Sequence, residues 1–404
     1  MGGHAKTVDL SDANVQLPES SIWRKVPMIG GALAVVGIGG TLALAGDHGE
    51  GYFAYLTAYL YFLSIALGAL FFSMIFFLTR SSWNVTMRRI TENFMITLPA
   101  FALLFIPVAL GAKNIFEWMT PEQIEPFYMP LYETKAPYLN TPFFYARAAV
   151  YFVIWSGLSW FFWSSSTKQD ESGDVSVTRR LQAMAAPGIA LGALSLTFAA
   201  FDWNMSIDWH WFSTIYGVIY FAGGFMACFA LLAVVAMQLK GEGVVKGIIE
   251  TEQLHGAGKM MFGMMCFWAY VSFSQLILIW YANIPEETLW YAHRMEGSWT
   301  YVSILLGIGH FGLPFFFLMS KHIKRNPKTL LIGAVWLLAM HYVDIYWMIM
   351  PNVYHEGASF GLVEVLSFVG VGGAFFALVG LAMQRNKLVP VKDPRLPESL
   401  AFEN

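Results

Sequence analysis

An all-α integral membrane protein with ten transmembrane helices is the fold this sequence predicts, and three observations carry the prediction. The first is composition: 57% of the 404 residues are hydrophobic and only 13% are charged, against about a quarter charged in a soluble domain. The second is that apolar runs of spanning length recur along the whole chain, with charged residues collected between them. The third is where the positive residues fall. Of the 24 lysines and arginines, all but Lys113, Lys135, Arg147, Arg294 and Lys259 lie in the N-terminal segment (Lys6 among them), the even-numbered loops or the C-terminal tail. That asymmetry places both termini in the cytoplasm. The net charge of −3 adds little, because distribution and not sum sets orientation.

In chain order, residues 1–25 read as a polar cytoplasmic segment ending in Arg24 and Lys25. The glycine-rich run 26–46 closes in ALAG, which resembles a signal-peptide cleavage site. At about 20 residues it is long for a signal h-region, and a retained first span is expected. Further spans are expected at 52–79, 91–113, 141–164, 181–201, 211–239, 254–283, 298–320, 328–350 and 360–384. Together they make one membrane domain, 26–384, followed by a cytoplasmic tail, 385–404. The seventh run, His255 to Asn283, would measure about 43 Å at 1.5 Å per residue. That exceeds the ~30 Å hydrocarbon core, so it must tilt or protrude at its Lys259 end.

Short basic inner loops recur after the first and third helix of each set of four. The expected packing is therefore two four-helix bundles, spans 2–5 and 6–9, flanked by the first and last span. Glycines at close-packing spacing support tight helix contacts: Gly188 with Gly192, the set from Gly30 to Gly40, and the set from Gly370 to Gly373. The largest outer loop, 114–140, holds four prolines, four glutamates and several aromatics. It is too apolar for disorder and too proline-rich for one helix. An ordered cap that meets another protein is expected.

Ionisable groups at membrane depth are costly, so each is a functional candidate. His341 and Asp344, three residues apart on the ninth span, share a helix face and could relay a proton or simply satisfy each other. His310 lies near the middle of the eighth span, and Glu364 near the outer end of the tenth. Lys259, His255 and Glu252 cluster at the inner end of the seventh span as a candidate proton entrance, although Lys259 can equally snorkel to the interface. Gln275 and Ser274 read as interhelical glue. A haem held by His310 and His341 would need matching depths, and theirs are roughly 18 Å and 14 Å at 1.5 Å per residue. Cys228 and Cys266 sit inside apolar runs with no CxxC or CxxCH motif, so this chain is expected to carry no iron-sulfur cluster and no c-type haem.

Four strings carry a family resemblance: SSWNVTMRRITENF at 81–94, DWNMSIDWHWFSTIYG at 202–217, FWAYVSFSQLILIWYANIPEETLWY at 267–291, and KRNPKTL with DIYWMIMP at 324–351. They resemble the NrfD-like (polysulfide-reductase-type) membrane subunits, most nearly the shorter, F-type subunit of bacterial alternative complex III. The resemblance implies a subunit of a quinol:electron-acceptor oxidoreductase in the bacterial cytoplasmic membrane. Its implied neighbours are a longer NrfD-like paralogue associated with the quinol pocket, an iron-sulfur subunit, multihaem and monohaem c-type cytochromes, and lipid. On that reading quinol, haem c and iron-sulfur clusters belong to partner subunits. The shorter subunit contributes a proton route and structural support. No family motif names the proton carriers, which rest on depth alone.

Two other functions compete. A secondary transporter would show helix breaks at matching positions of two inverted halves. Pro99 and Pro107 could break the third span, but the seventh has no proline before Pro285. A purely structural anchor would merely satisfy every buried charge.

Overall fold

The computed structural model describes residues 8–46 and 49–403, so Lys6, counted above, lies outside them. Among the described residues the chain is helical with no strand. Nine helices are long and apolar enough to cross a membrane. They are α1 (Val26–Ala43), α2 (Glu50–Leu78), α3 (Val85–Leu110), α5 (Val175–Trp203), α6 (Tyr216–Gly241), α7 (Thr251–Ala282), α8 (Trp299–Met319), α9 (Pro327–Asn352) and α10 (Leu362–Arg385). A further helix, α4 (Thr141–Ser172), occupies the expected fourth span and has the length but not the apolar composition of the others.

Local sequence sets the ends of these helices. Asn140 accepts from the Phe143 N–H at 3.0 Å to cap α4, with Pro142 in the first turn. Gly173, at φ 65°, ends it, and Asp174 accepts from Ser176 to begin α5. A Glu250–Gln253 capping box opens α7, and Asn283 closes it in the left-handed region at φ 50°.

Helices α2 to α5 pack as one ring and α6 to α9 as another, with α2 against α6 between them. These two are the centre of the molecule: 94% of the most apolar stretch of α2 is buried and 83% of that of α6, against 17% for α1. Helices α1 and α10 pack on each other through the two glycine sets. A Cβ at Gly30 would lie 2.5 Å from the Gly373 carbonyl oxygen, and one at Gly37 would lie 2.5 Å from Gly370. Gly188 and Gly192 receive Met74 and Phe71 of α2.

Two spans are irregular. Helix α3 breaks around Ile96 and Phe105, three and two residues ahead of Pro99 and Pro107. Tyr55 and Tyr59 of α2 donate to the Leu104 and Phe101 carbonyls along that stretch and tie it to the centre of the molecule. Helix α8 turns π-helical over Leu306–Gly312, just before Pro314.

The two termini are more ordered than polar tails would be. Leu388 N donates to Val15 O at 2.7 Å, and Asn14 bonds the Lys246 carbonyl at 2.9 Å. Ser399 donates to Trp83 O, Lys392 to the Glu171 carbonyl, and Arg325 pairs with Glu252. The N-terminal segment, the tail and the loops after α2, α4, α6 and α8 therefore gather at one end of the helices. Val15, Trp23, Leu388 and Val389 are buried there, which explains why these segments do not behave as free polar chain.

The third span also begins earlier than expected. Helix α3 starts at Val85, not 91, and buries Arg88 and Arg89, expected in the loop, together with Glu92. Their charges are tolerated because each is paired. Arg88 meets Glu92 at 3.0 Å and Asp393 of the tail at 2.6 Å, while Arg89 meets Glu92 at 2.8 Å and Asp170 at 2.9 Å.

At the opposite end, the 114–140 loop is an ordered cap of short helical turns. Trp118 donates to Ser206 O, Trp209 to Glu117, and Lys135 to Trp209 O at 2.7 Å. His210, stacked on Trp209 at 4.0 Å, belongs to the same cap. Burial pushes its imidazole below the ordinary 6.5, outweighing Glu117 and Asp208, which pull it up. A group depressed in this way gives the folded cap a contribution that is full above about 6.5 and is lost as pH falls from there through the lowered folded-state value. Limited proteolysis within 114–140 is expected to accelerate on acidification, and His210→Phe is expected to remove the pH dependence.

Candidate functional site

The interior of the second ring holds a polar cluster where α2, α6, α7, α8 and α9 converge. Helices α2 and α6 meet at Gly68 and Gly224: a Cβ on Gly68 would lie 2.7 Å from the Gly224 carbonyl oxygen, and one on Gly224 would lie 2.7 Å from Ser64. This contact brings Ser64 within 2.8 Å of His341 Nε2. Gly223, one residue earlier on α6, leaves room for the His341 and Asp344 side chains; a Cβ there would lie 2.8 Å from His341 Nδ1 and 3.6 Å from Asp344 Oδ2.

The hydrogen bonds fix the His341 tautomer. Ser64 Oγ donates its one proton to the Tyr61 carbonyl at 2.7 Å, so it accepts from His341 Nε2–H. Nδ1 is then the bare acceptor, and it has no partner although the residue is fully buried. Asp344, 2% exposed, accepts from Trp268 Nε1 at 2.9 Å. The expected pair therefore shares one face without a direct hydrogen bond. The unpartnered Nδ1 and the carboxyl both face Gly223 of α6.

Trp268 links the pair to His310. The two rings stack at 3.9 Å and 28°, with His310 on the π-helical segment of α8. Both His310 ring nitrogens are buried without a partner. A π-bulge is a frequent mark of a functional position, because it rotates one side chain out of the regular helical register. Here it turns His310 inward, while Trp336 Nε1 takes up the Gly309 carbonyl at 2.7 Å. His341 is engaged by Ser64 through Nε2, and His310 by the Trp268 ring. Among the described residues, no group of three His, Cys, Asp or Glu side chains could hold a metal ion.

The remaining candidates sit elsewhere. Glu364 caps α10: its carboxylate accepts from Gly361 N at 2.8 Å and Tyr354 Oη at 3.0 Å. Those bonds close the first turn of the helix. Glu252, His255 and Lys259 lie together at the inner end of α7. Glu252 pairs with Arg325, His255 is buried with Nδ1 unpartnered, and Lys259 is exposed on the outer side of the helix. Nearby Lys324 donates to the Leu318 and Met319 carbonyls, and burial, with Lys259 beside it, lowers its pKa.

Ser64 and Gly223 complete the cluster and carry no motif of their own in the sequence, while Trp268 lies within the 267–291 string, where nothing singles it out. For the π-segment a signal was present: Gly307, Gly309 and Gly312 followed by Pro314 disfavour a regular helix at that point. Gln275 bridges Ser213 at 2.7 Å and Tyr291 at 3.0 Å as interhelical glue, and Ser274 bonds back to Tyr270 O.

The fold and its interior define a multi-pass helical membrane protein. No protein-family model and no curated protein matches the chain.

Proposed function

We propose that this chain is a membrane subunit of a bacterial quinol:electron-acceptor oxidoreductase of the alternative complex III type, and that Asp344 and His341 exchange protons in its second helix ring. The observation that carries the proton role is the Asp344 carboxyl at membrane depth, which accepts from the Trp268 indole, faces Gly223 together with the open Nδ1 of His341, and is held by no lysine or arginine among the described ion pairs. A carboxyl so placed can take up and release a proton without a partner charge that holds it ionised. His341 Nδ1 is the acceptor beside it, and the Glu252, His255 and Lys259 group is the cytoplasmic approach.

The assignment to a respiratory complex rests on the four strings that resemble NrfD-like subunits. The gathering of both termini and the basic loops at one end supports ten crossings with cytoplasmic termini. The ordered outer cap, with Phe127 and Phe212 exposed, supports a docking role toward an extracytoplasmic or paralogous subunit.

Asp344→Asn in the assembled complex is expected to lower proton release per quinol oxidised while haem content stays unchanged, with His341→Ala acting in the same direction. Unchanged proton stoichiometry in both variants would refute the proton role. Purification of the chain without haem and iron would favour a transporter instead.

A further inference from the structure

At the basic end of the molecule Arg88, Arg89, Arg325 and Lys387 are each paired with a carboxylate. Arg80 and Arg179 are exposed there and pair with none among the described residues. Together with Leu78, Gln182 and Ala183 they line a groove of about 440 Å³ between the inner ends of α2 and α5. No acidic side chain among the described residues lines it. Farther along, the same two helices close on each other, with Met74 and Phe71 against Gly188 and Gly192.

The way α2 ends puts one guanidinium at the groove. Arg80 N donates to Phe77 O at 3.2 Å and Ser81 N to Phe76 O at 3.0 Å, and Arg80 takes the left-handed conformation at φ 51°. Glycine is the usual residue at that position of a helix end, so arginine holds it at a conformational cost. The other guanidinium stands one turn inside α5, on the face that continues through Ala183, Ala186, Ala190 and Leu194. These four are exposed and recur at three- and four-residue steps, which lays an uncharged strip along α5 from the groove toward the middle of the membrane. Leu78 is exposed on the opposite flank.

Two cations without a counter-charge at the head of an apolar strip fit a molecule that has both an anionic and an apolar part. A phosphodiester presents two unesterified oxygens, one for each guanidinium, and arginine takes phosphate in charge-assisted hydrogen bonds. Acyl chains match the strip below it. Basic pockets between membrane helices hold anionic lipid head groups in this way. We infer that the α2–α5 groove binds an anionic phospholipid, its phosphate between Arg80 and Arg179 and its acyl chains along α5. The bound lipid ties the end of the central helix α2 to α5. The inference stands whether or not Asp344 exchanges protons.

The test is thermal unfolding of the full chain, stripped of lipid in a neutral detergent and titrated with phosphatidylglycerol. A saturable rise in unfolding temperature is expected, as for any ligand that binds the folded state, and phosphatidylcholine at the same concentrations is expected to give a much smaller one. Arg80→Gln and Arg179→Gln are each expected to move the phosphatidylglycerol titration to about fivefold higher concentration, the effect of one basic residue near an anionic membrane surface. Arg80→Gly also relieves the left-handed backbone, so it is expected to raise the unfolding temperature without lipid while weakening the response to phosphatidylglycerol as Arg80→Gln does. Arg180→Gln removes the same charge one residue on, where the guanidinium acts on Asp174 and does not line the groove, and is expected to leave the titration unchanged. Equal responses to the two lipids, an equal loss in Arg180→Gln, or a titration insensitive to the groove variants would overturn the inference. Two further results would also overturn it. Stabilisation by inorganic phosphate as large as that by phosphatidylglycerol would assign the groove to a free anion. Release of a co-purifying protein by Arg179→Gln, with no response to phosphatidylglycerol in the parent, would assign it to a protein carboxylate.

Discussion

Asp202→Ala is expected to destabilise the protein by about 3–5 kcal/mol, the typical result of removing one partner of a buried ion pair. Asp202 holds Arg147 through two parallel bonds, Nε at 2.7 Å and Nη2 at 2.9 Å, and accepts a third from Tyr151 Oη at 2.7 Å. The guanidinium lies over the Tyr138 and Phe143 rings, 3.9 and 4.4 Å from their centroids. Without Asp202 it is a charge with one carbonyl, that of Tyr138, and two aromatic faces around it. The paired change Arg147→Met with Asp202→Leu is expected to recover most of the loss, because it removes both charges together. Equilibrium unfolding in detergent or bicelles measures the cycle, and an Asp202→Ala variant as stable as the parent would show that the pair contributes nothing.

Gly37→Val is expected to separate α1 from α10 and to cost about 1–3 kcal/mol or more, as overpacked cores do. The added Cβ would lie within 2.6 Å of backbone atoms of Leu366 and Gly370, which cannot swing aside as a side-chain end could. Gly31→Val and Gly39→Val, on the same helix where a Cβ meets nothing within 4 Å, supply the control. A lower unfolding temperature confined to Gly37→Val is the expected pattern, and equal effects at all three positions would contradict the packing account.

The glycine comparison shows what sequence could and could not convey. Clusters at 30–40 and 370–373 mark close helix packing by composition alone. Which glycine faces the partner depends on helix rotation, so Gly37 and Gly39 look alike until α10 is in place. Charge behaves similarly: the basic residues mark one side of the membrane, but Arg88 and Arg89 read as loop residues. Glu92 is a local partner one turn on, but their other counter-charges, Asp170 and Asp393, lie some 80 and 300 residues away in sequence, and no local rule pairs those. At the candidate site, His341 and Asp344 are visible because their spacing puts them on one helical face. Trp268, Ser64 and Gly223 are ordinary residues of apolar runs, and only the convergence of α2, α6 and α7 on α9 gives them a role. Glu364 is visible by its depth, but its bonds to Gly361 N and Tyr354 Oη follow only from the fold.

The central claim is that Asp344 exchanges a proton in the membrane interior. Infrared difference spectroscopy of the carboxylic C=O stretch, recorded on the assembled complex between acidic and alkaline pH, tests it most directly. A protonated-carboxyl band that changes with pH, shifts in Gly223→Ala and disappears in Asp344→Asn is the result predicted. A spectrum identical in the parent and Asp344→Asn, with no buried carboxyl band that responds to pH, would contradict it.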